Sequence, residues 1–469
     1  MADVHSRMAR RVYLSMTTHA IAIERARPYG LYAICFGFFL VLFDTTALNV
    51  AIGTIHREFG GTISALQWIV SAYTIVFASL VLTCGAMGDR YGARRLYQLG
   101  LALFTAMSLA CALSPSVAFL IAFRMAQGLG AAMMLPASLA LLSQLYPDPR
   151  ARALAVSFWA SIVSLGFAAG PALGGVFTSS FGWRSIFLLN VPTGIVGLFM
   201  VRAFIEETPV TRGRSLDWPG QLGVSLTLWT LSYALIEAGN VGWAAPRVLA
   251  AFAATITLAG ACALTERRSA SPVFPPVLFS RPAFVVCVGA GVVLSLGIYG
   301  ILFIESIYLQ NVRHLSALAT GAMIVPLTVG PTVTTRMIDR YRADMHFKPR
   351  IVTGQILALL GAATMAASVW VPATGVILVG FGLLGVSLGY TSPAMTTGVL
   401  TASPPSMAGL ASGILNAGRQ VGGAVGVALM GTLVQMHHEP GMVVSFIMAV
   451  ALSGVVAAAA QRAIPEPTR

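Results

Sequence analysis

Hydrophobic runs long enough to cross a lipid bilayer recur from one end of this chain to the other, and nothing else in the sequence restricts its fold as much. A spanning helix takes roughly 20 predominantly apolar residues. Runs of that kind stand at 29–52, 65–87, 94–113, 117–143, 153–178, 184–204, 218–238, 246–265, 283–309, 317–337, 350–371, 374–400, 408–436 and 441–461. No stretch between them is long enough for a soluble domain. With 57% of residues hydrophobic and 10% charged, a chain in water would expose apolar patches it could not cover. The expectation is an all-α membrane protein with about fourteen transmembrane helices.

The formal net charge of +13 would suit nucleic acid if the basic residues clustered freely. They sort by loop instead, as the positive-inside rule expects. Of the 29 Lys and Arg residues, Arg57, Arg184, Arg247 and Arg313 fall on the far side and Arg124 and Arg419 inside spans. All the others lie on the side of the N-terminus. The expected partners are therefore the bilayer and small molecules, with no nucleic acid. The chain reads as multi-pass in the cell inner (plasma) membrane, both termini cytoplasmic. Residues 1–27 are polar and lack a helical stripe, so they read as a disordered cytoplasmic tail, with Met8 and Met16 as alternative starts. No cleavable signal peptide is visible.

Cofactor chemistry finds no foothold. Cys35, Cys84, Cys111, Cys262 and Cys287 sit inside spans at no metal or redox spacing and read as small packing residues. His437 and His438 fall in an outer loop, so no metal site is expected. No Gly-x-x-x-x-Gly-Lys loop is present, which disfavours ATP-driven transport. An enzyme is not expected.

An internal repeat organises the chain. Met87-Gly-Asp-Arg-Tyr-Gly-Ala93 returns as Met337-Ile-Asp-Arg-Tyr-Arg-Ala343. Both copies follow an even-numbered span on the basic side. Spans 1–6 and 9–14 then form two related six-helix halves, with two extra helices between them, an architecture found in secondary transporters. The boundaries fall at 1–27 for the tail, 28–204 for the first half, 205–265 for a linker and the extra helices, 266–282 for a second linker, 283–461 for the second half and 462–469 for the C-terminal tail. The second copy has lost its glycines: Thr335, Ile338 and Arg342 stand where Gly85, Gly88 and Gly92 do.

Charges inside spans mark the candidate site. Span 4 carries Arg124-Met-Ala-Gln-Gly-Leu-Gly130. An arginine there costs about 2.5–3.5 kcal/mol on insertion scales and should face protein or water with a partner. Arg124 lies roughly 10 Å in from the outer end of its run, and Asp44 in span 1 roughly 12 Å. Asp44 and Arg124 are expected to face one central cavity and to interact, directly or through water. Either a proton or a cationic substrate then competes for the carboxylate, or the pair is structural. Asn49 and Gln127 join them as cavity residues. In span 13, Arg419 needs a partner, with Asn416, Gln420 and Asp44 as candidates. Glu305, roughly 6 Å deep, reads as an interfacial glutamate, with substrate binding as the alternative.

Two glycine-rich segments complete the candidates. In the loop after span 2, Gly85 and Gly92 allow a tight turn, Asp89 can face a helix N-terminus, and Arg90, Arg94 and Arg95 can pair with carboxylates across the seam between halves. In span 5, Gly166, Gly170 and Gly174 form a flat stripe and Pro171 should bend the helix. With Gly175, this surface suits close packing against a helix of the other half, or is ordinary small-residue packing.

With these residues in view, the chain resembles drug:proton antiporters of the fourteen-helix branch of the major facilitator superfamily. It is similar to exporters conferring resistance to methylenomycin and to quaternary ammonium compounds. The resemblance covers roughly 30–460 and rests on the Gly85–Arg95 loop, the span 4 and span 5 segments, Trp183-Arg-Ser-Ile-Phe-Leu-Leu-Asn-Val-Pro-Thr-Gly194, Asp217-Trp-Pro-Gly220, Ile236-Glu237, Gly242-Trp243 and Tyr308-Leu-Gln310. It implies efflux of amphipathic drugs or antibiotics with the proton as coupling ion, a latching role for the Gly85–Arg95 loop, and a monomer. The alternatives are a proton-coupled exporter of one endogenous metabolite or lipid and, less in keeping with buried charges, a non-transporting sensor or scaffold. Three departures bear on the outer gate. Gly53 stands where relatives usually have proline. Glu305 and His314 stand where they usually have an apolar residue and a glycine.

Overall fold

Lipid offers no hydrogen bonds, so a spanning segment must satisfy its backbone internally, and here it does so as helix. The structure is a computed structural model describing residues 2–207, 218–268, 274–342, 345–371, 373–404 and 407–465, with the backbone alone at 2–27, 149, 218, 267, 268 and 438. The linker residues 208–217 and 269–273, which include Asp217 and Pro272, lie outside the described residues, as does Ala343. No strand occurs among the described residues. In order come α1 (Ala2–Phe59), α2 (Ile63–Tyr91), α3 (Ala93–Ala112), α4 (Val117–Leu145), α5 (Pro149–Phe181), α6 (Arg184–Phe204), α7 (Trp218–Val241) and α8 (Pro246–Arg268). Then follow α9 (Pro276–Phe279), α10 (Pro282–Ile307) running into a π turn (Tyr308–Val312), α11 (Ala317–Tyr341), α12 (Phe347–Trp370), α13 (Thr374–Thr401) and α14 (Ala408–Ala463).

Among the described residues, 13 helical stretches are long and apolar enough to cross a membrane. The remaining expected span, 408–436, is the first arm of α14, where Asn416, Arg419 and Gln420 dilute the apolar character. That helix cannot be straight. A Cβ placed on Gly441 would meet the Leu433 carbonyl oxygen and the Val434 Cα, whereas eight residues of straight helix span about 12 Å. The chain doubles back near Pro440, giving two arms. His437, expected in an outer loop, lies within this helix, three residues before Pro440 at the bend.

The start of the chain also differs from expectation. The segment 1–27 was expected to be a disordered tail, but the backbone is helical from Ala2 and passes through Pro28 without a break. The missing apolar stripe argues against burial of that segment, not against helix, and its Ala, Arg, Met and Glu residues favour helix. The far end of α1 runs on to Phe59, past the expected limit at 52.

Two bundles with matching contacts follow from the glycine spacing. Along α5, added Cβ atoms on Gly166, Gly170 and Gly174 would meet Phe39, Thr46 and Ala47 of α1. Along the first arm of α14, those on Gly418, Gly422 and Gly426 would meet Val288, Val292 and Leu296 of α10. The fifth span of each half therefore lies against the first span of the same half. Between bundles, α5 packs on α11 and the first arm of α14 on α2. The fifth span of each half thus meets the second span of the other, as an axis relating two repeats demands.

The sequence repeat ends corresponding helices. Arg90 stands 5.6 Å from the ring centre of Tyr91, and Arg340 stands 5.6 Å from that of Tyr341. Where the copies differ, the glycine explains it. Gly92 takes φ 97° and lets α3 begin at once. Arg342 takes φ −144°, and α12 begins only at Phe347.

The extra helices pack outside this pair. Trp229 of α7 stacks on Trp68 of α2 at 5.7 Å, and Thr432 of α14 donates to the Leu235 carbonyl at 2.7 Å. α7 therefore touches both halves. α8 packs on α7 and is otherwise largely exposed, as a lipid-facing helix should be.

Adding bulk at the close approach of α14 to α10 should cost about 1–3 kcal/mol. Gly422→Val is therefore expected to lower the unfolding temperature in detergent. Gly382→Val, where an added Cβ meets nothing within 4 Å, should leave it nearly unchanged.

Candidate functional site

A charged side chain in a spanning helix must carry its solvation with it, and the first half supplies this in full. Asp44 of α1 and Arg124 of α4 are 0% and 1% exposed. Arg124 Nη1 donates to Asp44 Oδ2 at 2.5 Å and to Gln127 Oε1 at 2.6 Å, and its Nε donates to the Ile69 carbonyl at 3.3 Å. Gln127 Nε2 donates to Asp44 Oδ1 at 3.2 Å and to Ser108 Oγ at 2.8 Å. From α6, Asn190 Nδ2 donates to the same Asp44 oxygen at 3.0 Å. Tyr73 closes one side, with the guanidinium 4.2 Å from its ring centre, and Phe187 lies at 6.0 Å. Three helices, α1, α4 and α6, meet at the carboxylate, and α2 and α3 join through Arg124, Gln127 and Asn190. The pair interacts directly, and α1, extending to Phe59, sets Asp44 deeper than the sequence-based limit implied.

The other cavity candidates do not join this network. Asn49 is buried and donates to the Thr45 carbonyl of its own helix at 2.9 Å. Arg419 finds none of its three expected partners. Asp44 is held by Arg124, Gln127 and Asn190, and Asn416 donates to the Ser412 carbonyl at 3.1 Å. Arg419 and Gln420 are half-buried, and the Arg419 side chain lies against Gly291 of α10. The reading of Glu305 as interfacial is overturned, because it is 0% exposed. α10 is hemmed in there by α1 and α14, so depth along the helix was a poor guide to exposure.

The loop after α2 also differs. Arg94 donates to the Arg202 carbonyl at 2.9 Å and Arg95 lies 3.4 Å from Glu207. One partner stands in the last turn of α6 and the other in the linker just after it, neither across the seam. Gly92 lies against the same Glu207, so the tight turn itself aims these arginines at the end of α6. Asp89 and Arg90 stand in the last turn of α2, after Gly85.

In α5 the stripe of Gly166, Gly170 and Gly174 faces α1 of its own half, not the other half as expected. The adjacent face, carrying Pro171 and Gly175, meets the other half. A Cβ on Gly175 would touch the Ala317 carbonyl, and one on Gly321 the Pro171 carbonyl. At 3.6 residues per turn the two faces are neighbours on one helix. Pro171 has no N–H for the Phe167 carbonyl. The Thr46 hydroxyl of α1 lies 3.3 Å from that oxygen and shares its one proton between it and the Leu42 carbonyl at 3.0 Å, and Thr328 of α11 reaches the next carbonyl, Ala168, at 3.3 Å.

Several site residues were missed from sequence: Ser108, Asn190, Tyr73, Thr46 and Thr328, and Gln67 and Gln310 at the seam. Each is polar inside an apolar run, which was the available signal. The halves are tied together at the end opposite the basic loops. Gln67 Nε2 donates to the Ala428 carbonyl at 2.6 Å, Gln310 Nε2 to the Val50 carbonyl at 2.7 Å, and the Leu318 N–H to Ser179 Oγ at 2.9 Å. His314, just beyond, takes φ 53°, a conformation that favours the glycine expected of relatives. Among the described residues no group of three His, Cys, Asp or Glu is placed to hold a metal.

Two helical bundles joined at one end, with a solvated charge buried in the membrane, define a multi-pass membrane transporter. The chain belongs to the Major Facilitator Superfamily, whose family model matches residues 34–427. It is 36% identical to the methylenomycin A resistance protein of Streptomyces coelicolor over 455 residues, covering 95% of this chain and 94% of that one. It is 33% identical to the multidrug resistance protein Stp of Mycobacterium tuberculosis, over 95% of this chain and 80% of that protein. Among solved structures, a POT family transporter in complex with a thioalcohol-conjugated peptide matches with a TM-score of 0.71 at 13% identity, over 93% of this chain and 97% of that one.

Removing one partner of a buried ion pair costs about 3–5 kcal/mol, more than the pair itself contributes. Arg124→Gln should therefore lower thermal stability in detergent sharply, and Asp44→Asn combined with Arg124→Gln should recover much of the loss. Equal stability of wild type and the single variant would show that the guanidinium does not hold Asp44.

Proposed function

We propose that this chain exports amphipathic drugs or antibiotics across the inner (plasma) membrane in exchange for protons, with Asp44 as the coupling carboxylate. The observation that carries the reading is the enclosure of Asp44. A carboxylate at 0% exposure is held by one guanidinium and two amides from two other spans, α4 and α6. Protonating it removes the charge that Arg124 pairs with and weakens the acceptor that Gln127 and Asn190 share. Loss of that charge biases the balance between the two arrangements of the halves. A cationic substrate that displaces Arg124 from the carboxylate competes with the proton for the same group. The resistance and multidrug names of the relatives support the substrate class.

In this reading the basic loops and both termini are cytoplasmic, and the tied end of the molecule faces outward. The halves 28–204 and 283–461 rock against each other as rigid bodies, with Pro171 and Gly175 of α5 at the contact. Arg94 and Arg95, held at the end of α6, exchange the Arg202 carbonyl and Glu207 for carboxylates of the other half in the opposite state. The chain works as a monomer, and the proton takes the place of any bound cofactor.

Inverted membrane vesicles with an acidic interior provide the test. Adding a cationic dye or a neutral antibiotic to the wild type should release protons from the interior. Asp44→Asn should reduce that release to the level of vesicles lacking the protein. Full release in the variant would remove Asp44 from the coupling path.

A further inference from the structure

The tenth helix carries a second buried carboxylate that the Asp44 network does not touch. All ten residues from Ile301 to Gln310 are buried. A helix enclosed on every side in this way has no lipid-facing or water-facing edge. Around it, Gln310 reaches the Val50 carbonyl of α1, and Phe303 lies against Gly431 of α14, beside Gln67 of α2. This is the closed seam between the halves. Glu305 sits in it at 0% exposure, and neither of its carboxyl oxygens has a hydrogen-bond partner. Ser306 Oγ, Gln310 Oε1 and Gln67 Oε1 are likewise buried without partners. The charged and titratable groups facing this end of α10 are Arg313 beyond the π turn, Glu439 at the bend of α14 and Tyr308 on α10 itself. Arg313 makes no hydrogen bond to the carboxyl group.

We propose that Glu305 is a proton-binding site of the outer seam, and that the seam closes only when this carboxyl group is protonated. An ionised carboxylate sealed into such a space with no donor costs several kcal/mol, whereas the neutral acid costs the far smaller penalty of a polar group. When the halves part on this side, water reaches Glu305 and its unpartnered neighbours, and the carboxyl releases its proton to that water. Reclosure requires a proton to be taken back from the same water. The proton thus returns to the side it came from, so Glu305 gates the cycle without adding to the protons transported. The π turn that follows, a local departure from α geometry of the kind found at functional sites, carries Gln310 and would be where the contact with α1 breaks.

This inference rests on the proposed transport reading for which side is outside, but its test needs no substrate and does not involve Asp44. Ala317, 3% exposed at the start of α11 against Gly175 of α5, is changed to cysteine as a reporter of seam opening. A membrane-impermeant maleimide is applied to right-side-out vesicles over a range of external pH. Labelling is scaled to an Arg57→Cys variant, exposed at the same end, to cancel the titration of the thiol itself. With Glu305 present, scaled labelling should rise several-fold from acid to mildly alkaline external pH. Glu305→Gln should label weakly at every pH, and Glu305→Asp should restore the dependence. The proposal is overturned if the Gln variant keeps the pH dependence of the parent, if it labels strongly throughout, or if the parent shows no dependence. Loss of proton release in Asp44→Asn with flat labelling in the parent would sink this inference alone, and the reverse pattern would sink only the coupling role of Asp44.

Discussion

Everything in this protein depends on how α1 is held, because α1 carries both the buried charge and the surface against which the first half closes. Asp44 binds it to α4 and α6, and Ala47 lies beneath the glycine stripe of α5. Thr46, between them, brings a hydroxyl shared with its own Leu42 carbonyl to the Phe167 carbonyl, which Pro171 leaves without an N–H. In hydrocarbon an unpaired carbonyl costs as much as a lost hydrogen bond and has no water to turn to. One turn of α1 therefore satisfies a buried carboxylate on one face and a broken helix on the other. At the far end, Glu58 of the same helix receives Trp183 Nε1 at 2.7 Å and Arg184 Nη1 at 2.6 Å. The first half is thereby tied from its middle to its rim by a single helix.

The second half shares the architecture but not the chemistry. Its first span, α10, is gripped by the glycines of α14 as α1 is by those of α5, yet where α1 has a carboxylate with three donors, α10 has Glu305 with none. Among the described residues, Arg419 has no ion pair with a carboxylate either. A half whose charges are fully paired internally moves as a body, because any internal rearrangement would strand Asp44 or Arg124. The seam, by contrast, contains polar atoms that are satisfied only in part. Their hydration when the halves separate offsets part of the contact area lost, which keeps the closed and open states close in free energy. Rigid interior and incompletely satisfied seam together are what a two-state transporter requires.

How far the sequence spoke depended on whether a feature is local or shared between helices. Hydrophobic runs and the sorting of arginines are local, and they placed nearly every helix. The pairing of Asp44 with Arg124 was legible because both are too costly to leave alone at similar depth in neighbouring spans. Partners that cost little were invisible: nothing in the sequence distinguishes Ser108 from any other polar residue in an apolar run, and Asn190, though inside the Trp183–Gly194 segment, shows no partner until α6 and α3 are set beside α4. The direction of the glycine stripe was misread for the same reason. Spacing of four defines a face but not what it faces. A comparison that could have corrected it was present all along, since Gly418, Gly422 and Gly426 repeat Gly166, Gly170 and Gly174 in the second half. A motif recurring in both halves at the same span is explained most simply by a contact made within each half.

That distinction also explains why the two copies of the α2 loop have drifted apart while the glycine stripes have not. A stripe on the fifth span permits backbone contact with the first, and a side chain there would strike a carbonyl, as at Val292 and Leu296. The loop after the second span is exposed and asymmetric in its duties. Gly92 is held to a positive φ because α3 must begin immediately and because Glu207 occupies the space a side chain would need. Arg342 faces neither restriction, so the tight turn was free to relax into a longer connection. What remains of the repeat there, an arginine laid over the following tyrosine at the same distance in both copies, needs only the helix end itself. The parts of the repeat that persist are thus those that helix packing inside one half demands, and the parts that differ are those where the two halves do different things.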